Sequence, residues 1–270
     1  MILRPYFLLG KKYGNTWVLG VYFNITVTKL NRGDGEMQEL YYIYNSQGDM
    51  LFSCKNLIEC HDFSRTDSAL LFAFSGLNVK NVDFILDDED YTLKCNQFQG
   101  RLDFDFSVKK VIKSDDILYL YLEKNNPMYE IGVLSLLKSR FDDNERIWLD
   151  MALESKQIYI SASYIVGGMR GGIEKDTVVV EGKYIHDYYS FYCEFGYAFF
   201  GKFGYMGSNL DAFEDCLVEI GREDKTINVI WKDSEISFKA IANTTPDRLY
   251  KTIYHDMVMT LEEHSNLILE

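Results

Sequence analysis

The chain has 270 residues, of which 47% are hydrophobic and 26% are charged, and this balance excludes a disordered or collagen-like chain. Because 270 residues exceed what one compact core usually organises, two domains are expected. The 20 Tyr, 18 Phe and 3 Trp favour strand-rich structure over long helical bundles.

The formal net charge is −13, and the acidic side chains are concentrated towards the C-terminus. Residues 174–270 contain 18 Asp or Glu and 9 Lys or Arg, whereas residues 1–173 contain 23 acids and 19 bases. Binding to nucleic acid or to an anionic membrane needs clustered cations, so we expect neither partner. The acidic part would attract a cationic partner, although surface acid also keeps a protein soluble.

Cysteine usage and the chain start predict a cytoplasmic protein. The five cysteines are scattered and odd in number, which does not indicate a disulfide framework. The apolar run at the start is too short for a signal peptide. No stretch approaches the roughly 18 apolar residues of a membrane helix.

No metal site or cofactor is predicted. Cys54, Cys60 and His61 are three possible zinc ligands, but no second Cys/His pair follows at a suitable spacing. The acidic run from Asp87 to Asp90 lacks the alternating ligands and the glycine of a calcium loop, so it is interpreted as a solvated turn.

Residues 1–166 are predicted to form a mainly antiparallel β-domain, either a sandwich or a barrel, because short strands follow one another with polar turns between them. Two segments have weak helical character, Met128–Arg140 and Arg146–Ser155. No motif here indicates a function. The predicted strands are Thr16–Thr28, Glu39–Tyr44, Met50–Cys54, Leu70–Phe74, Val82–Leu86, Tyr91–Cys95, Leu102–Phe106, Ile117–Leu122 and Ile158–Ile165.

Residues 167–173 contain the run GGMRGG and are predicted to be a linker, because so many glycines neither pack nor hold a strand. A phosphate-binding loop is the alternative interpretation, but such a loop needs a helix directly after it. The segment that follows, Thr177–Glu181, has the β-branched composition of a strand.

In residues 174–270, strands alternate with helices, which predicts a small parallel sheet covered by helices. Strands are predicted at Thr177–Glu181, Thr226–Trp231 and Leu267–Leu269. Helices are predicted after the cap Asp187, from Ser208 or Asn209, over Ser234–Ala242 and from the Thr245-Pro246-Asp247 start signal.

The helix that begins at Ser208 or Asn209 carries an unusual row of acids. Its apolar stripe is Leu210, Phe213, Leu217 and Ile220. Asp211, Asp215 and Glu219 follow at four-residue intervals on a different side, and like charges at this spacing destabilise an isolated helix by about 0.2–0.5 kcal/mol per pair. The row of acids is either a face that binds a cationic partner or an ordinary helix face exposed to solvent. A catalytic carboxylate pair is disfavoured, since outward-facing acids lack the enclosed pocket that separates their pKa values.

The stretch from Tyr205 to Leu217, YMGSNLDAFEDCL, resembles the signature of the barstar family of intracellular inhibitors of the ribonuclease barnase. That signature is YYGENLDALWDCL, and nine of the thirteen positions agree. The resemblance extends over residues 174–270, with Thr177–Glu181, Trp231 and Asn266–Leu269 standing where the family has its first strand, the end of its second and its last.

The resemblance implies an α/β domain with a three-stranded parallel sheet flanked by helices, in which the second helix and the loop before it plug a nuclease active site. Asp215 would replace a phosphate of the RNA, beside Asp211. The departures at Met206, Ser208 and Glu214 imply a cognate nuclease different from barnase. The implied partner-binding residues are Tyr205, Met206, Gly207, Ser208, Asn209, Asp211, Ala212, Glu214, Asp215 and Trp231.

The sequence therefore predicts a non-enzymatic inhibitor of a basic ribonuclease or nuclease toxin, acting as an immunity protein. The alternative is that the N-terminal β-domain is a ligand-binding module or an enzyme and that the acidic domain is its adaptor. A third hypothesis is a double immunity protein whose two domains bind different toxins. The oligomeric state is not predicted.

Overall fold

The structure is a computed structural model that describes residues 12–13, 16–17, 40–61, 70–78, 89–95, 102–114, 116–124, 129–141, 146–221, 227–246 and 249–270. The chain divides into two units, Met1–Met37 and Gln38–Glu270. In the first unit, strands β1 (Lys12–Tyr13) and β2 (Thr16–Trp17) pair antiparallel. The remainder of the predicted strand Thr16–Thr28 and the predicted strand Val82–Leu86 lie outside the described residues.

The second unit begins with six strands that close an antiparallel barrel in the order β3-β4-β5-β8-β7-β6. The predicted antiparallel β-structure is therefore confirmed, and of the two predicted forms the barrel is the one observed. The strands are β3 (Tyr41–Asn45), β4 (Met50–His61), β5 (Leu70–Asn78), β6 (Asp90–Cys95), β7 (Leu102–Ser114) and β8 (Ile117–Lys124).

Aromatic side chains fill the barrel. Phe72, Phe74 and Phe106 are fully buried, and the Phe72 ring contacts the other two edge to face at centroid distances of 6.1 and 6.4 Å. Such pairs add to the stabilisation from burial of apolar area. Around these three rings, the inside of the barrel is filled by packed side chains.

A helical segment follows the barrel and comprises α1 (Val133–Arg140), a 3₁₀ turn (Ile147–Asp150) and α2 (Lys156–Gly167). It is attached to the barrel by the Tyr129 hydroxyl, which donates to Glu59 Oε1 in β4 at 2.7 Å, and by Lys138 Nζ, which donates to the Leu57 carbonyl. The predicted helical character is confirmed within both segments.

The predicted strand Ile158–Ile165 is wrong, because this stretch lies inside α2. Its β-branched residues favour a strand locally, but tertiary contacts override that preference. Lys156, Tyr159, Ile160 and Ser163 are all buried and lie at helical spacing. The stripe contains a lysine and a serine, so the pattern of apolar residues did not indicate a helix.

The C-terminal region contains a three-stranded parallel sheet in the order β11-β10-β9, as predicted. Asp187 caps α3 in a reciprocal arrangement with Ser190, which confirms the predicted helix start. The elements are β9 (Thr177–Glu181), a 3₁₀ turn (Gly182–Tyr184), α3 (Tyr188–Phe200), α4 (Leu210–Gly221), β10 (Ile227–Lys232), α5 (Ser234–Thr244), α6 (Ile253–His264) and β11 (Ser265–Leu269).

The predicted helix start at Thr245 is wrong, since α6 begins only at Ile253. Thr245 closes the preceding helix instead: its backbone N–H and its hydroxyl both donate to the carbonyl of Ile241, at 2.8 and 2.6 Å. The residue at the start of α6 is Thr252, so Thr245 does not cap that helix.

Buried side chains form one continuous cluster that runs from the barrel through the helical segment to the parallel sheet. Two buried ion pairs join the segment to α3, namely Arg146 with Glu194 and Lys156 with Asp187. The boundary placed at residues 167–173 stays a prediction. No helix in the described part of the chain is both long and apolar enough to cross a membrane.

Candidate partner-binding site

The loop before α4 makes a tight turn that requires glycine at position 207. Gly207 has φ +86°, and a Cβ at this position would lie 2.5 Å from the backbone nitrogen of Phe213. Only a residue without a side chain permits the first turn of α4 to approach the loop so closely. The glycine therefore fixes where the helix begins.

Asn209 caps α4, and of the two predicted caps, Ser208 and Asn209, it is the one observed. Its Oδ1 accepts a hydrogen bond from the Ala212 backbone N–H at 2.9 Å, which satisfies one of the free donors of the first turn. Phe213, Leu217 and Ile220 are buried beneath the helix and Leu210 is half-buried, so the predicted apolar stripe is confirmed. The opposite face of α4 is consequently directed outward.

That outward face carries the predicted acids. Asp211, Glu214 and Asp215 are exposed, and Glu219 is half-buried. Within the described ranges, neither Asp211 nor Asp215 forms an ion pair with a Lys or Arg side chain. Two carboxylates one helical turn apart are thus available to a cation approaching from solvent.

Other residues of the predicted set are buried. Trp231 and Met206 are 0% exposed and Tyr205 is 3% exposed. The indole N–H of Trp231 donates to the Ser237 hydroxyl at 3.0 Å inside the core. We therefore correct the assignment of Trp231 and Met206 as contact residues, because neither presents side-chain surface to a partner. Exposed or half-buried members of the set are Ser208, Asn209, Asp211, Ala212, Glu214 and Asp215.

The Tyr205 hydroxyl and the Cys216 thiol are buried and stay protonated at neutral pH. Burial raises the pKa of the Tyr205 hydroxyl to about 12 and that of the Cys216 thiol to about 12. Cys216 is therefore protonated at neutral pH and packs in the core, where it is 2% exposed. Tyr205 packs edge to face against Tyr164 of α2, with ring centroids 5.0 Å apart.

Three metal-ligating side chains meet where α4 packs against α6. One carboxylate oxygen each from Glu214 and Glu263 and a ring nitrogen of His264 all lie within 4.8 Å of one another. His264 Nε2 is 3.9 Å from Glu214 Oε1. Both glutamates are exposed, and this grouping adds negative charge beside the acids of α4.

Residues of α2 that the sequence did not assign to the site pack against the loop before α4. Tyr159 and Tyr164 of α2 pack against Phe203 and Tyr205 in the loop before α4. Both tyrosines lie in the segment that was predicted to be a strand. The helical spacing of the buried positions in α2 would have been the signal, but one of them is a lysine.

Comparison with known families finds a match for one part of the chain. Residues 175–252 match the family model described as Barstar (barnase inhibitor), which confirms the resemblance carried by the Tyr205–Leu217 stretch. The match covers less than a third of the chain and ends before α6 and β11. No protein with a curated description and no solved structure matched the chain.

Proposed function

We propose that this protein inhibits a basic ribonuclease by placing the acids of α4 in the enzyme's RNA-binding cleft. The observation that carries the proposal is the exposed pair Asp211 and Asp215 on a rigid, capped helix within the region that matches the barstar family. A ribonuclease binds RNA phosphates with Arg, Lys and His, and carboxylates form charge-assisted hydrogen bonds with the same groups. The inhibitor and the substrate therefore compete.

The inhibitor acts without catalysis. Nothing on α4 needs to transfer a proton or form a bond, because occupation of the cleft is sufficient to exclude RNA. In this proposal the protein serves as an immunity protein against a nuclease toxin, and it acts in the cytoplasm, where the cell's RNA requires protection. The barrel then supports or accompanies the inhibitory region.

Inhibition assays with paired variants test the proposal. We expect Asp215→Ala in the full chain to weaken inhibition of barnase, or of a related basic microbial ribonuclease, far more than Glu262→Ala does. Glu262 is an exposed acid on α6 and controls for the loss of one negative charge. Circular dichroism of both variants should show unchanged folding.

Growth assays test the immunity role. Co-expression of the chain with a secretion-deficient form of the ribonuclease should protect bacterial cells, and Asp215→Ala should remove that protection. Equal inhibition by the two variants, or no inhibition of any basic ribonuclease by the unmodified chain, would refute the proposed function.

A further inference from the structure

The loop between α3 and α4, residues 201–207, contains one residue, Phe203, in a backbone conformation that a residue with a side chain does not favour. We call this loop the recognition loop. Three of its residues have left-handed backbone angles: Gly201 at φ +80°, Phe203 at +53° and Gly207 at +86°. Two are glycines, which accept such angles, but Phe203 has a Cβ and is strained there unless its surroundings hold it.

The residues that hold Phe203 come from the helical segment before residue 174. The Phe203 backbone N–H donates to the Tyr159 hydroxyl at 3.1 Å, and the two rings stack at a centroid distance of 5.3 Å. The Phe141 ring also stacks on Phe203, at 5.7 Å. Gly167 lets α2 approach, since a Cβ there would lie 2.8 Å from the Phe203 carbonyl oxygen.

Two further residues of the recognition loop, Tyr205 and Lys202, contact the same segment. Tyr164 of α2 contacts Tyr205 edge to face, and Lys202 Nζ donates to the carbonyl of Phe141. None of these supporting residues belongs to residues 175–252, the part of the chain that matches the barstar family. The support is therefore supplied from outside the matched region.

The supporting segment is itself anchored to α3. The Arg146 guanidinium binds the fully buried Glu194 carboxylate with two hydrogen bonds of 2.7 and 3.0 Å. Lys156 of α2 forms a buried ion pair with Asp187, the cap of α3. A helical segment that is attached to α3 by two such ion pairs can hold the strained loop in one conformation.

We propose that Tyr159 is a positioning residue for the recognition loop, and that Phe141 and residues 146–167 form, with the described part of residues 175–270, a single partner-binding unit. This inference rests on the proposed function, because the loop leads directly into the acids of α4. By this account the segment orders the loop before the partner arrives, so less conformational entropy is lost on binding. Removal of the Tyr159 hydroxyl loosens the loop and speeds dissociation without changing the charges that steer association.

Hydrogen exchange and binding kinetics on the full chain test the proposal. In Tyr159→Phe the Phe203 N–H loses its partner, and we expect the amides of the recognition loop to exchange about tenfold faster. The binding probe is barnase or a related basic microbial ribonuclease that the unmodified chain inhibits, and we expect its dissociation to be about tenfold faster with its association rate unchanged. Tyr129→Phe is the matched control, since it also removes one buried tyrosine hydroxyl, bonded to Glu59 in the barrel. It should change neither quantity.

A second variant guards against a folding defect. Tyr164 is only half-buried, so Tyr164→Ala should leave α2 folded while it removes the ring beneath Tyr205. Faster exchange at residues 204–207 is expected in this variant as well.

Each outcome separates this proposal from the proposed function. Unchanged exchange of the loop in both Tyr159→Phe and Tyr164→Ala overturns the positioning role. Faster exchange together with unchanged dissociation of the ribonuclease overturns its link to recognition. Failure of the unmodified chain to bind any basic microbial ribonuclease counts against the proposed function alone, and the exchange data then decide whether α2 orders the loop.

Discussion

Acidic side chains have opposite roles in two neighbouring helices. Glu194 and Asp187 of α3 are buried and paired with Arg146 and Lys156, so their charges are neutralised within the molecule. Asp211 and Asp215 of α4 are exposed, and the described residues contribute no basic partner to them. The role of an acid is therefore decided by its burial and its partner, and net charge reveals neither.

The α3 carboxylates are structural because their charge has been removed from water. Burial raises the pKa of Glu194 above its ordinary value, and the hydrogen bonds and charge of Arg146 oppose that shift. The Arg146 guanidinium lies between the rings of Tyr184 and Tyr197, at 4.1 and 4.4 Å from their centroids. Loss of the arginine would leave a buried carboxylate without its countercharge.

The largest predicted effect is therefore on folding. Arg146→Ala should lower the free energy of unfolding by about 3–5 kcal/mol, because Glu194 remains buried and unpaired. Arg140→Ala is the matched control: half-buried Arg140 forms a 3.4 Å ion pair with Asp150, whose side chain is 75% exposed, so about 0–1 kcal/mol should be lost with this pair. Urea unfolding of both variants measures the difference. Similar losses of unfolding free energy in the two variants would contradict the structural role of the ion pair between Arg146 and Glu194.

Salt should separate the two sets of acids. At about 0.1 M salt the screening length is about 10 Å, so exposed charges lose their attraction as ionic strength rises while buried pairs are screened much less. We expect association with a basic ribonuclease to slow about tenfold between about 0.05 M and about 0.5 M NaCl, with little change in the unfolding midpoint. Stopped-flow mixing measures the association rate. Salt-independent association would show that the exposed acids do not steer the encounter.

The smallest predicted effect has an informative sign. Asp215→Ala should stabilise the chain by up to about 0.5 kcal/mol, because it relieves repulsion from Asp211 and Glu219 and introduces a better helix former. Urea unfolding again measures the change. A clear loss of stability would mean that Asp215 contributes to the fold and is not reserved for a partner.

The C-terminal fold was predictable because its signals are local. The cap Asp187, the β-branched strand Thr177–Glu181 and the stripe under α4 each follow from residues close together in the chain. The strand order of the barrel and its closure depend on pairings between distant residues, so the sequence predicted antiparallel strands without choosing between sandwich and barrel.

The candidate site was predictable only in part, for the same reason. Asp211 and Asp215 were assigned to the outward face from helical spacing alone, and they lie there. The burial of Trp231 and Met206 depends on tertiary packing that no local pattern reports. The support from α2 was missed because a buried lysine, Lys156, interrupts the apolar stripe, and its partner Asp187 lies 31 residues further along the chain.

Steady-state kinetics show whether the acids of α4 compete with RNA for the ribonuclease. If the acids of α4 occupy the site where RNA phosphates bind, initial rates of a susceptible ribonuclease against RNA concentration should show an apparent KM that rises with added inhibitor at constant kcat. The Asp211→Ala, Asp215→Ala double variant should leave KM unchanged at the same concentration. A fall in kcat at constant KM, or undiminished inhibition by the double variant, would contradict the account.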